Sequence, residues 1–99
     1  MALKLDLSTE ELKIYLRVEH NADDKLIEKF KKAAISELDS FLNNDFSDYQ
    51  EQPPELEIWV MNRVATYYEN RQGNVPEPDF SSVERYRKYP MANILEDEN

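Results

Sequence analysis

The chain has 99 residues, which suffices for one domain and leaves no room for two independent cores. It contains no cysteine, so a disulfide scaffold, a thiolate metal site and a cysteine nucleophile are excluded. Twelve lysines and arginines stand against 21 aspartates and glutamates, and the net charge of -9 opposes attraction to phosphate backbones. We therefore expect no sequence-specific binding of nucleic acid. No apolar run is long enough to span a bilayer, so no membrane partner is expected either.

Local signals predict two helices in the first half of the chain. Ser8 and Glu11 form a Ser-x-x-Glu capping signature, which predicts a short helix over 9–17. Asp23 supplies a negative charge suited to a helix N-terminus, and apolar residues then recur with helical periodicity over 23–43. The sequence thus predicts two amphipathic helices joined by a short connection.

A third helix and an extended segment are predicted for the second half. Pro54 suits the first position of a helix that Gly73 should close, and its apolar arc is wide enough to predict the central helix. Two prolines favour an extended arm over 74–80, and a short fourth helix should follow through Lys88. These elements predict an all-α fold, a small three-to-four-helix bundle with a long central helix and an extended C-terminal arm.

Charge is distributed unevenly along the single helical domain that we expect over residues 1–95. Residues 33–62 contain no lysine or arginine and form an acidic block, whereas 83–95 is mainly basic. The acidic residues 96–99 are predicted to be a disordered tail. The two oppositely charged regions are either solvated faces or complementary patches that meet between subunits or on a partner.

Two side chains do not fit the simple amphipathic pattern. Glu37 projects into the apolar arc of the second helix, so it should have a basic partner such as Arg63 or Arg71, or be covered by another subunit. Trp59 falls outside the apolar arc of the third helix, next to polar neighbours. Interfaces favour tryptophan, so Trp59 is expected either at a subunit or partner contact or packed against the C-terminal part of its own chain.

The late basic region carries apolar and aromatic side chains on a stretch too short to fold alone. This segment must dock on something, either within the domain or on a partner. Together with the two exceptional positions and their basic partners, it defines the candidate interface. The candidate subunit or partner interface residues are Glu37, Trp59, Arg63, Arg71, Arg85, Tyr86, Arg87, Tyr89 and Met91.

The residues available for catalysis are few. His20 is the sole histidine and lies in a predicted turn, so a serine or metal centre built on imidazole is not expected. The acidic residues of 43–53 lack the glycine and the alternating spacing of a calcium loop, and Gly73 alone cannot form a glycine-rich phosphate loop. We predict a non-enzyme without cofactor or metal.

Four segments resemble a known family in their order and spacing. They read LKIYLRV at 12–18, DDKLI at 23–27 followed by the alanine pair 33–34, VATYYENR at 64–71 and RYRKYPM at 85–91. In these segments the chain resembles the head-tail connector, or head-completion adaptor, proteins of long-tailed bacteriophages and prophages. The resemblance implies a structural virion protein with no catalytic residues and no cofactor.

The same resemblance implies partners and a location. Such a subunit forms a homo-oligomeric ring, commonly dodecameric, beneath the portal protein of the DNA-filled head, and receives a stopper or tail protein. It would assemble in the host cytoplasm and reside at the head-tail junction of the virion. The alternative that the charge pattern leaves open is an acidic protein-binding module, such as a DNA mimic or an inhibitor, which would use the acidic block at 33–62.

Overall fold

The computed structural model describes residue 3 and residues 5–89. This part of the chain contains three α-helices: α1 over Thr9–Leu16, α2 over Asp24–Leu42 and α3 over Pro54–Glu69. A single 3-10 turn follows at Glu84–Tyr86, and none of the described residues is in a β-strand. The predicted all-helical class is confirmed. The expectations for Met91 and for the tail at 96–99 lie outside the described residues.

The first two helices begin and end close to their predicted limits. The backbone N–H of Glu11 donates to Ser8 Oγ at 3.1 Å, which is the predicted cap of α1. Arg17 ends α1 and Asn43 ends α2, both in the left-handed region with φ of 61° and 47°. The capping and periodicity signals therefore located both elements to within one residue.

Helix α3 begins at Pro54 as predicted but ends earlier than Gly73. Its last residue is Glu69, and Asn70 closes it because the backbone N–H and the side-chain amide of Asn70 both donate to the Thr66 carbonyl, at 3.1 and 2.9 Å. Gly73 does not adopt a positive φ, so it is not the cap. Helix α3 has 16 residues and α2 has 19, so α2 is the longer of the two.

The predicted fourth helix is wrong: only the 3-10 turn at Glu84–Tyr86 forms. The Lys88 N–H, which a continuing helix would direct to the carbonyl of residue 84, donates instead to Leu42 O at 2.8 Å. The Tyr86 carbonyl accepts from Asn44 Nδ2 at 2.7 Å. Because these backbone groups bond to α2 and the residues after it, the chain leaves the turn in an extended conformation.

The core lies between α2 and α3 and also includes residues from both flanking segments. Leu7 from before α1 and Val83 from before the 3-10 turn are buried with the helix residues. The buried apolar residues are Leu3, Leu7, Leu12, Ile27, Ala34, Leu38, Leu42, Phe46, Leu56, Trp59, Val60, Val64 and Val83. Among the described residues, no helix combines the length and the apolarity needed to cross a membrane.

Candidate assembly surfaces

Glu37 and Arg63 form a two-fold hydrogen-bonded ion pair between α2 and α3. Arg63 Nε and Nη2 donate to the two carboxylate oxygens of Glu37 at 2.9 and 3.0 Å, and the Tyr67 hydroxyl donates to Glu37 Oε1 at 2.8 Å. The predicted basic partner of Glu37 is thus confirmed as Arg63. Bidentate pairing is among the stronger polar contacts available to a protein, so this pair fixes the register of the two helices.

Arg63 also holds the segment that follows α3. Its Nη1 donates to the Pro76 carbonyl at 2.8 Å, so one guanidinium joins α2, α3 and the extended arm at 74–80. The hydrogen bonds that Arg63 donates to Glu37 raise the pKa of Arg63. Burial and the bond to Glu37 raise the pKa of Tyr67. Arg63 and Tyr67 therefore both stay protonated at neutral pH. The network thus ties α2, α3 and the arm together.

Trp59 is buried by its own chain. The indole Nε1–H donates to the Asp79 carbonyl at 2.8 Å, and the ring stacks on Phe80 with centroids 5.0 Å apart. The other face of Phe80 stacks on Phe41 at 4.1 Å. The arm folds back over the side of α3 that carries Trp59. Of the two expected placements, the structure shows packing within the chain; a contribution of Trp59 to assembly stays a prediction.

Residues 83–89, the described part of the late basic region, dock on the end of the helix pair. Arg85 and the Tyr86 hydroxyl both donate to the Glu55 carboxylate in the first turn of α3. The Arg87 guanidinium lies 4.5 Å from the centre of the Phe41 ring and 4.9 Å from that of Tyr89. Tyr89 itself is 57% exposed. This segment is therefore part of the domain, while Arg87 and Tyr89 remain accessible to a partner.

Arg71 lies at the opposite end of α3 and does not contact Glu37. Its guanidinium packs 4.2 Å from the centre of the Tyr68 ring, and the Tyr68 hydroxyl donates to Asp23 at 2.6 Å. The candidate interface residues thus fall into three groups rather than one patch: the ion pair with Trp59 under the arm, the docked basic segment, and Arg71 alone. Met91 lies outside the described residues.

Comparison with known proteins identifies the family. Residues 7–87 match the family described as phage gp6-like head-tail connector protein. The chain belongs to this connector family. No curated protein and no solved structure gave a match. The predicted resemblance is confirmed, and membership implies a structural adaptor of the virion head-tail junction.

Several large apolar side chains lie exposed on the surface of this connector-family chain. Tyr15 of α1 and Ile58 of α3 are 44% and 56% exposed, and Ile14 is 78% exposed. The Tyr15 hydroxyl donates to Asn62, which lies one helical turn beyond Ile58 on α3. Part of the wide apolar face of α3 is therefore exposed.

No group of three or more histidine, cysteine, aspartate or glutamate side chains is arranged to hold a metal ion within the part of the chain that the structure describes. His20 lies 4.0 Å from Asp23, and this carboxylate accepts the bond from Tyr68.

Tyr86→Phe is expected to raise the pKa of Glu55. The hydrogen bond from Tyr86 is the main cause that holds this pKa below its usual value, and the bond from Arg85 adds to it. A carboxylate with a lowered pKa stabilises the fold above its unfolded pKa, and this stabilisation is lost as the pH falls through the folded pKa. The variant should therefore lose less stability on acidification. NMR titration of the Glu55 carboxyl measures the pKa, and Tyr89→Phe, which should leave it unchanged, is the control.

Proposed function

We propose that this chain forms a homo-oligomeric ring beneath the portal protein and joins the DNA-filled head to a stopper or tail protein. The match of residues 7–87 to the head-tail connector family carries the proposal. It also supports assembly in the host cytoplasm before the subunit takes its place at the junction. The ring is proposed to be dodecameric, as the family resemblance implies.

The distribution of charge supports a contact between unlike surfaces of neighbouring subunits. Lys25, Lys29 and Lys32 are exposed on one face of α2 and make no ion pair with the described residues. The loop at 43–53 instead exposes carboxylates such as Asp45. A ring built by rotation requires two unlike patches on each copy, and these two surfaces provide opposite charge.

The acidic-module alternative is less well supported by the same contacts. Three carboxylates of the acidic block are already held by cations of this chain: Glu37 by Arg63, Glu55 by Arg85 and Asp48 by Lys88. A DNA mimic needs its carboxylates free and spread over one face so that they can occupy a basic groove. We therefore propose the connector role and not the mimic.

Assembly with purified portal protein tests the proposal. The full chain is mixed with portal, and native mass spectrometry and electron microscopy count the copies bound. We expect a ring of many copies coaxial with the portal, and no ring with an unrelated ring-shaped protein of similar charge as the control. A chain that stays monomeric at every concentration with portal present would contradict the proposed function.

A further inference from the structure

An open cleft of about 540 Å³ lies between α1 and α3 and is not occupied by any described part of the chain. Its walls are largely apolar and aromatic, and they come from one side of each helix. These wall residues are Tyr15, Leu16, Ala65 and Tyr68. The volume lies within the range of ligand-binding pockets, roughly 300–1,000 Å³.

The rim of this cleft is positively charged, although the whole chain is acidic. Arg17 and Arg71 both line it, and neither forms an ion pair with a carboxylate in the described residues. Arg71 is held in place because it packs on the Tyr68 ring and donates to the Tyr68 carbonyl oxygen. Glu69 also lines the cleft, so the rim carries two guanidinium groups and one carboxylate. A fitting ligand has apolar side chains next to negative charge.

The C-terminal sequence has this composition. Ile94 and Leu95 are followed directly by Glu96, Asp97 and Glu98. We propose that the α1/α3 cleft binds the C-terminal segment of a second copy of this chain, with the two apolar side chains against the cleft walls and the acidic residues facing the two arginines. The proposal rests on the proposed self-assembly and names one contact that would carry it.

The reach of the chain favours a second copy over the same copy. The Tyr68–Asp23 bond places the cleft at the N-terminal end of α2, whereas the bond from Lys88 to Leu42 anchors the late segment at the C-terminal end. The 19 residues of α2 span about 28 Å at 1.5 Å per residue. A fully extended chain covers only about 22 Å from Lys88 to Ile94 and about 25 Å from Lys88 to Leu95. The apolar residues of a subunit's own tail therefore fall short of its own cleft.

A peptide titration tests the docking. A fluorescent peptide of residues 90–99 is titrated into the full chain carrying Ile94→Asp and Leu95→Asp, which disables the chain's own tail and leaves the cleft intact. We expect saturable binding that weakens on adding salt. Arg17→Gln with Arg71→Gln, in the same background, should weaken it about tenfold. Absence of saturable peptide binding would overturn the proposal.

Two further variants separate the specific contact from net charge and from misfolding. Ser36→Glu with Ser40→Glu changes the net charge by the same amount as the two arginine substitutions, on exposed positions of α2, and should leave peptide affinity within about twofold. An equal loss with this control would overturn the proposal. A chain with Arg17→Glu and Arg71→Glu should bind a peptide in which the three acidic residues are replaced by lysine, which also shows that the variant is folded.

Mixing two variants tests whether the contact joins different copies. The tail-disabled chain keeps its cleft, and the chain with Arg17→Glu and Arg71→Glu keeps its tail, so the mixture should form a one-to-one complex that neither forms alone. Failure to form it overturns docking between copies. If the wild-type chain still forms rings on the portal when the peptide does not bind, only this inference fails. If the wild-type chain never assembles, the proposed function fails.

Discussion

Arg63→Met is expected to lower the free energy of unfolding by about 2–3 kcal/mol, which corresponds to a melting temperature about 10–20 °C lower. The substitution removes both hydrogen bonds to Glu37 and leaves that carboxylate with the Tyr67 hydroxyl alone in a part-buried site. It also releases the Pro76 carbonyl and so loosens the arm. The loss should approach, without reaching, that of a fully buried pair, because Glu37 is 26% exposed. Thermal and chemical unfolding measure it.

Two comparisons isolate the contribution of the Glu37–Arg63 ion pair to stability. Arg71→Met removes an exposed arginine that has no carboxylate partner in the described residues, and it should cost less than about 1 kcal/mol. Combining Arg63→Met with Glu37→Leu should recover part of the loss, because the stranded carboxylate is gone. Equal stability of the Arg63→Met variant and the wild type would show that the ion pair contributes nothing to folding.

Trp59→Ala is expected to cost about 3–4 kcal/mol of stability, the range found when a large aromatic core residue is truncated. The indole is 6% exposed, donates to the arm through Asp79 and supports one face of Phe80. Removing it leaves a cavity beneath the arm and an unpaired carbonyl. Denaturant titration at equilibrium gives the free energy, and its slope shows whether the arm detaches separately from the core.

Two milder substitutions separate the contribution of the Trp59 hydrogen bond from that of its ring packing, and compare it with a neighbouring exposed side chain. Trp59→Phe keeps a ring against Phe80 and removes the hydrogen bond, so it should cost roughly 1–2 kcal/mol. Ile58→Ala changes the adjacent, 56% exposed side chain and should cost less than about 1 kcal/mol. A stable Trp59→Ala variant that fails to assemble would instead show that the indole acts mainly at an interface.

The sequence predicted the elements whose signals are local. Ser8 caps α1 and Pro54 opens α3 because each acts on backbone groups within a few residues. The partner of Glu37 could also be anticipated, since a carboxylate on an apolar face requires a cation nearby. In these cases a short-range rule or an electrostatic requirement decides the outcome.

The features that the sequence did not predict depend on contacts between segments that are far apart in the chain. The burial of Trp59 depends on the path of the arm, which brings Phe80 back across α3 and against Phe41. Val83 is fully buried, so the segment after the arm completes the core instead of forming a separate helix. Helical periodicity reports which face is apolar, but not whether another element covers it, as exposed Ile58 illustrates.

The stack of Phe80 on Trp59 gives this connector-family chain a built-in optical probe. Trp59 is the single tryptophan of the sequence, so its fluorescence comes from one place, directly beneath the arm. Lifting the arm would expose the indole to water and shift its emission to longer wavelength. The position of the arm can therefore be followed in real time, in an unlabelled wild-type chain, in the portal assembly experiment that tests the proposed function.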